Sequence, residues 1–209
     1  MYAVKTLSDA RAFLERYSVV LFDMDDTLYS EKDYVRSGYK KIAMHNPSVS
    51  DMEQKLWKAF ENGEKAIDYV LQAEGIYSQE KASECLNIYR NQMPEIALYS
   101  DAEELLSCLK SNGIRMGMIT DGRPEGQWAK IEALGVKRYF EKIIITDELG
   151  GTQFRKPNSI AFELMQEHFG VPFCEMVYIG DNPKKDFIAP EKLGMGSVYF
   201  LNDDGLYSK

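Results

Sequence analysis

The chain of 209 residues carries 25 Lys and Arg against 33 Asp and Glu, a formal net charge of −8, which argues against a broad nucleic-acid-binding face or attraction to an anionic membrane. Hydrophobic residues at 44% and charged residues at 28% supply a full core for one domain, or one domain with a modest insertion, and exclude wholesale disorder. The three cysteines, Cys85, Cys108 and Cys174, stand far apart with no CxxC pair, so neither a disulfide framework nor a zinc knuckle is expected and each reads as a small buried hydrophobe.

The N-terminal stretch MYAVKTLSDARAFLERYS lacks a basic start followed by an apolar core, and no run approaches the ~18–20 apolar residues of a membrane span. The expected setting is therefore the cytoplasm, with no membrane partner. Leu7, Ala10, Phe13, Leu14 and Tyr17 recur at helical spacing among charged residues, which predicts an amphipathic helix over 7–17. It runs into VVLFD at 19–23, a short apolar run ending in a charge, read as a buried strand. From Glu31 to about Met93 the composition turns helical, with breaks near Asn46-Pro47, Asn62-Gly63 and Gly75. No strand signal intervenes, so this block predicts several short helices forming a small separate lobe.

After Pro94 strands and helices alternate. Ser100 and Glu103 have the spacing of a capping box opening a helix over 101–111, which Asn112-Gly113 stops. There follow a strand at 114–120, a helix at 124–134 stopped by Gly135, a strand at 142–146, a helix at 158–169 stopped by Gly170, a strand at 176–180, a helix at 184–193 and a strand at 197–201. Strands alternating with helices of this length predict an α/β fold with a parallel sheet covered on both faces.

In such a sheet ligands bind beyond the carboxyl ends of the strands, where helix N-termini and loops converge. Three predicted strands end in Asp23-Met-Asp25-Asp26-Thr27, in Thr120-Asp121-Gly122 and in Gly180-Asp181-Asn182-Pro183-Lys184-Lys185-Asp186; Arg155-Lys156 stands just before a helix. Carboxylates crowded at one rim repel one another unless a cation sits among them, and hard oxygen donors favour Mg²⁺ over zinc. Magnesium commonly bridges one or two carboxylates to a substrate phosphate, so the pattern points to phosphoryl chemistry. Asp23 and Asp25 are two apart, and a strand continuing through both points them to the same side. One carboxylate then attacks phosphorus while the other protonates the leaving oxygen and later activates water. Thr120 and Lys156 offer a hydroxyl and an ammonium to the transferring oxygens.

Asp23-Met-Asp25-Asp26-Thr27-Leu28 after an apolar strand, Thr120 after a second, Lys156-Pro157, and Gly180-Asp181 with Asp186 five residues on resemble the four motifs of the haloacid dehalogenase superfamily, in that family's order and over nearly the whole chain. The resemblance implies a Rossmann-like core at 1–29 and 95–209 with an inserted α-helical cap at 30–94. It implies Asp23 as nucleophile, Asp25 as general acid/base, and Thr120 and Lys156 as phosphate binders. Mg²⁺ would be held by Asp23, the backbone carbonyl of Asp25, and Asp181, with Asp186 positioning metal-bound water or pairing with Lys156. An acid at Asp25 points to phosphate ester cleavage, because the dehalogenases themselves lack it. The expected activity is thus Mg²⁺-dependent hydrolysis of a small phosphorylated metabolite, a sugar phosphate or nucleoside monophosphate, through an aspartyl-phosphate. A phosphomutase of the same fold and a noncatalytic binding protein are the alternatives.

Other residues have plainer readings beside functional ones. Asp26 reads as a turn former, Thr120 taken alone as a capping hydroxyl, and Asp181 with Asn182 as a helix-entry turn. Arg123 and Arg155 stand where they could touch an anionic substrate. Tyr34, Tyr39, Lys40, Lys41, His45 and Trp57 suit a specificity pocket or ordinary helical packing. His45 and His168 show no ligand spacing.

Overall fold

In the computed structural model, which describes residues 1–206, six parallel strands form one sheet. They are β1 (Tyr2–Val4), β2 (Val19–Phe22), β3 (Arg115–Thr120), β4 (Lys142–Ile145), β5 (Met176–Gly180) and β6 (Gly196–Phe200), in spatial order β1-β6-β5-β2-β3-β4. With helices between the strands, this is the α/β, Rossmann-like fold that the alternating pattern predicts. Strand β2 is apolar at all four positions and buried at all four, as a strand covered on both faces must be. It pairs with β3 and β5 at once, Phe22 lying level with Met118 and Ile179. The carboxyl ends of these three strands therefore stand side by side at the middle of the sheet.

The chain forms two compact units, Met1–Glu31 with the described part of Ala97–Lys209, and Lys32–Ile96. In the first, helices α1 (Leu7–Leu14), α6 (Ser100–Ser111), α7 (Pro124–Leu134), α8 (Ile160–Phe169) and α9 (Ile188–Leu193) accompany the sheet. Gly135 (φ 62°) and Gly170 (φ 67°) stop α7 and α8 in the left-handed conformation that a side chain disfavours. Phe162 and Met165 of α8 pack with Val19, Leu21 and Tyr178 of the sheet, and the rings of Phe162 and Tyr178 meet edge to face at 5.1 Å.

The second unit consists of α2 beyond its first residue (Glu31–Met44), α3 (Met52–Glu61), α4 (Ala66–Ala73) and α5 (Gln79–Arg90). Val35, Ile42, Leu56, Val70, Leu71 and Cys85 are in its core. Most of the candidate pocket residues are taken up inside this unit: Tyr34 and Tyr39 pack on Tyr89, Lys40 and Lys41 pair with Glu95, and Arg36 lies 4.1 Å over the ring of Trp57. His45 Nδ1 sits 2.8 Å from the carbonyl of Lys41. Tyr39 also lines a cavity of about 470 Å³ with Lys65, Asp68 and Tyr77.

Three local expectations are corrected, and one strand appears that the sequence does not signal. The short edge strand β1 pairs with β6, although its sequence gives no strand signal. Ser100 does not cap α6; Tyr99 is the N-cap residue, and Asp101 accepts the backbone N–H of Leu7 at 2.8 Å instead. Helix α9 starts at Ile188 rather than 184, because Asp186 folds back on Asn182 in a turn described below. Of the cysteines only Cys85 is buried; Cys108 is partly covered and Cys174 is exposed. Among the described residues no helix is long and apolar enough to cross a membrane.

Candidate active site

Asp23 leaves β2 at its carboxyl end, its backbone N–H still donating to the carbonyl of Ile179 at 2.9 Å. The strand stops there. The next residues turn, with the N–H groups of Thr27 and Leu28 both reaching the carbonyl of Met24, so the strand does not continue through Asp25. Asp26 holds this turn: at φ 53° it occupies the left-handed region, and its carboxylate accepts the N–H groups of Glu31 and Leu206 at 2.8 and 2.7 Å. A short Asx-type side chain is among the few that tolerate such a backbone.

The turn separates the two acids into different surroundings. Asp23 is 2% exposed and its Oδ1 meets Lys156 Nζ at 2.5 Å. Lys156, itself 5% exposed, also lies 2.9 Å from Asp186 Oδ1 and donates to Tyr178 Oη at 2.7 Å. Its backbone N–H donates to Asp121 Oδ1, which also accepts the Thr146 hydroxyl. Asp186 is fully buried; its Oδ2 accepts the N–H of Asn182, and its own N–H returns a bond to the Asn182 carbonyl. Thr27 Oγ1 donates to Asp181 Oδ1 at 3.4 Å. Gly180 is obligatory in this packing, because a Cβ there would stand 2.5 Å from Asp186 Oδ2.

One carboxylate oxygen each from Asp23, Asp181 and Asp186 falls within 4.8 Å of the others, all three residues being buried. Three carboxylates against the one ammonium in direct contact with them, that of Lys156, leave a formal surplus of two negative charges in a dry place that the more distant Lys185 only partly offsets, an arrangement that demands compensation. Asp23 Oδ2 is buried and accepts no hydrogen bond. Hard oxygen donors, a formal surplus of two and an orphaned carboxylate oxygen fit a divalent cation. Burial drives Asp23 up to about 6 against the pull of Lys156. It drives Asp181 up to about 8, with Asp23 and Asp186 adding to the effect.

Asp25 has partners of its own. Its Oδ1 accepts Tyr29 Oη at 2.5 Å and Lys130 Nζ at 2.7 Å, and its Oδ2 accepts Gln127 Nε2 at 2.9 Å. Burial alone would raise its pKa, but the Lys130 ammonium and the three hydrogen bonds outweigh that and hold the carboxyl below its ordinary value. Gln127 Nε2 also donates to Thr120 Oγ1 at 2.6 Å, so the buried hydroxyl at the end of β3 is tied to Asp25 through one amide.

A cavity of about 420 Å³ opens here, lined among others by Asp25, Glu31, Lys130, Arg155, Asp181 and Lys185. Lys156 lines it too. Arg155 is clamped to Asp147 by two bonds of 2.7 Å, whereas Arg123 pairs with exposed Glu125. The carboxyl of Glu31 is pushed up to about 8, by burial first and the charge of Asp25 second. Lys185 stands 3.5 Å from Asp121. The sequence reading does not single out Gln127, Lys130, Lys185 or Glu31. For two of them a signal exists: positions 127, 130, 131 and 134 form one stripe of α7, on which Gln127 and Lys130 are buried with Ile131 and Leu134.

A sequence profile described as haloacid dehalogenase-like hydrolase matches residues 20–200. A protein from Methanocaldococcus jannaschii named glyceraldehyde 3-phosphate phosphatase is 29% identical over 200 residues, covering 87% of this chain and 84% of that one. Its namesake from Pyrococcus abyssi is 29% identical over 194 residues, covering 87% and 80%. The crystal structure of a HAD-superfamily hydrolase from Geobacter sulfurreducens superimposes with a TM-score of 0.65 at 17% identity, covering 88% of this chain and 87% of that one.

Proposed function

The chain belongs to the haloacid dehalogenase-like hydrolases, and from that premise we propose that it is a Mg²⁺-dependent phosphatase of small phosphorylated metabolites. The observation that carries this reading is the buried carboxylate trio of Asp23, Asp181 and Asp186 beside a second, separately held acid, Asp25. A phosphohydrolase needs one carboxylate as nucleophile and another as proton carrier, in different environments. The two relatives named above bear the name of a phosphatase of a three-carbon sugar phosphate, which favours a small sugar phosphate over a nucleotide. The partner is thus a small molecule, the proposed compartment the cytoplasm, and the unit Lys32–Ile96 is assigned the role of a cap that selects the substrate.

Asp23 Oδ attacks phosphorus in line, and the bond from phosphorus to the ester oxygen breaks to leave an aspartyl-phosphate. Asp25, which Lys130 and its hydrogen bonds keep ionised at rest, takes up a proton from solvent before the first step, delivers it to the departing oxygen, then takes one from the water that attacks the aspartyl-phosphate, and phosphate departs with Asp23 restored. Lys156 and the Thr120 hydroxyl neutralise and orient the transferring oxygens. Asp23, Asp181 and the carbonyl of Asp25 would hold Mg²⁺, with Asp186 fixed by Asn182 and Lys156 behind them; when bound, the cation supplies charge neutralisation to the phosphoryl group.

The test is phosphate release from a panel of sugar phosphates, nucleoside monophosphates and p-nitrophenyl phosphate, with and without Mg²⁺, with Asp23→Asn as blank. Mg²⁺-dependent release that is abolished by Asp23→Asn supports the reading. Full activity in that variant, or activity persisting in EDTA, would overturn it.

A further inference from the structure

Lys130 is the least expected feature of the site. It lies on α7 beneath the surface, with 7% of its side chain exposed, and pairs at 2.7 Å with Asp25, whose side chain is 17% exposed. Burying an ammonium costs several kcal/mol, and a buried ion pair is on balance no more stabilising than apolar side chains of the same volume. Stability alone therefore gives no reason for a lysine on the core-facing stripe of α7, between Gln127 and Ile131. Gln127 is 3% exposed and uses its single amide nitrogen twice, on Asp25 and on Thr120.

We propose that Lys130 and Gln127 are positioning residues, which hold the Asp25 carboxyl at a fixed orientation to the phosphoryl group by bracing it against α7 and the end of β3. The inference rests on the phosphatase reading above and adds two residues to it. The geometry is that of a clamp. Lys130 with Tyr29 fixes one oxygen of Asp25, and Gln127 fixes the other, so rotation of the carboxyl about its last torsion breaks bonds on both sides. Because Gln127 also holds Thr120, the proton carrier and one phosphate-binding hydroxyl are set at a constant separation. General acid–base catalysis depends on such placement, since the carboxyl must reach the departing oxygen within hydrogen-bond range.

The experiment compares kcat/KM for p-nitrophenyl phosphate, whose leaving group departs without a proton, with that for glycerol 2-phosphate, an alkyl phosphate whose leaving oxygen requires one. It is run on the full chain with Mg²⁺, for the wild type and for Asp25→Asn, Lys130→Met, Lys130→Arg and Gln127→Met. Lys130→Met is expected to lower the alkyl phosphate by about tenfold more than p-nitrophenyl phosphate, a part of the ~10²–10⁴ available to a placed acid. Lys130→Arg should recover part of that loss. Equal losses on both substrates, or none, in both Lys130→Met and Gln127→Met would overturn the proposal. Gln127→Met keeps it decidable if Lys130→Met does not fold. If Asp25→Asn itself shows no difference between the substrates, the general-acid role is what fails; if it does while the α7 variants do not, only the clamp fails.

Discussion

Lys156 Nζ stands 2.5 Å from Oδ1 of Asp23, and both side chains are almost wholly withdrawn from water. This ammonium is the nearest positive charge to two of the three clustered carboxylates, since Asp186 Oδ1 lies 2.9 Å from it. Lys156→Met should therefore strand two buried charges and destabilise the fold by about 3–5 kcal/mol, the cost of breaking a buried pair from one side. Urea denaturation measures it, and millimolar Mg²⁺ should return part of the loss. A variant as stable as the wild type without cation would show that the pair does not matter to the fold.

Gly180 leaves no room for even one methyl group, the Asp186 carboxylate being 2.5 Å from where a Cβ would sit. That carboxylate cannot simply step aside, because Asn182 and Lys156 hold it. Gly180→Ala is expected to cost about 1–3 kcal/mol in strain and to weaken cation binding. Calorimetric titration with Mg²⁺ reads the second effect; unchanged affinity would mean that Asp186 adjusts freely.

Cation binding should depend on pH. Asp23 is raised to about 6 and Asp181 to about 8 when no cation is present, in both cases chiefly by burial. Through this window the metal-free fold retains protons that the unfolded chain has already lost, so its stability falls as pH rises. A cation requires both groups ionised and expels those protons. Mg²⁺ affinity should climb between about pH 5 and 8 and then level off, with proton release visible as a buffer-dependent heat. Affinity that is flat across this range would contradict the assignment.

Glu31 supplies a separate pH effect. Its carboxyl is raised from 4.5 to about 8 in the fold, by burial and then by Asp25. The neutral form is the one the fold favours, so its contribution is complete in acid and is lost as pH rises through about 8. The upper limit is about 1.4 kcal/mol per pH unit, and contact with cavity water reduces it. Glu31→Gln removes the titration, so the variant's melting temperature should gain on the wild type between pH 5 and pH 9. A constant difference would mean that Glu31 ionises as freely in the fold as out of it.

Much of the core was legible because its strands are continuous apolar runs; VVLF and MVYIG are buried at every position. The strand-end acids were legible for the same reason, each being the first charge after such a run. Strand β1 was not, since Tyr2 and Ala3 are exposed and its pairing partner lies at the far end of the chain. The start of α9 is not legible because Asp186 and Asn182 exchange hydrogen bonds, a non-helical turn written in residues that also suit helix entry. Ser100 is taken into the first turn of α6, with Tyr99 at the cap position. Lys130 does not stand out because a lysine in a helix is ordinarily on the wet face; only its phase relative to Ile131 and Leu134 betrays it.

The position of β5 between β2 and β6 has a consequence for synthesis on the ribosome. Val19–Phe22 is made early, yet one of its two edges stays unpaired until Met176–Gly180 has emerged. An apolar strand with an open edge invites pairing with other chains. Translation that stops short of Met176 therefore releases a product with an adhesive edge and no carboxylate trio, since Asp181 and Asp186 have not yet been made. Such fragments will be inactive and prone to aggregate, and the nascent chain depends on shielding of that edge until Met176–Gly180 arrives.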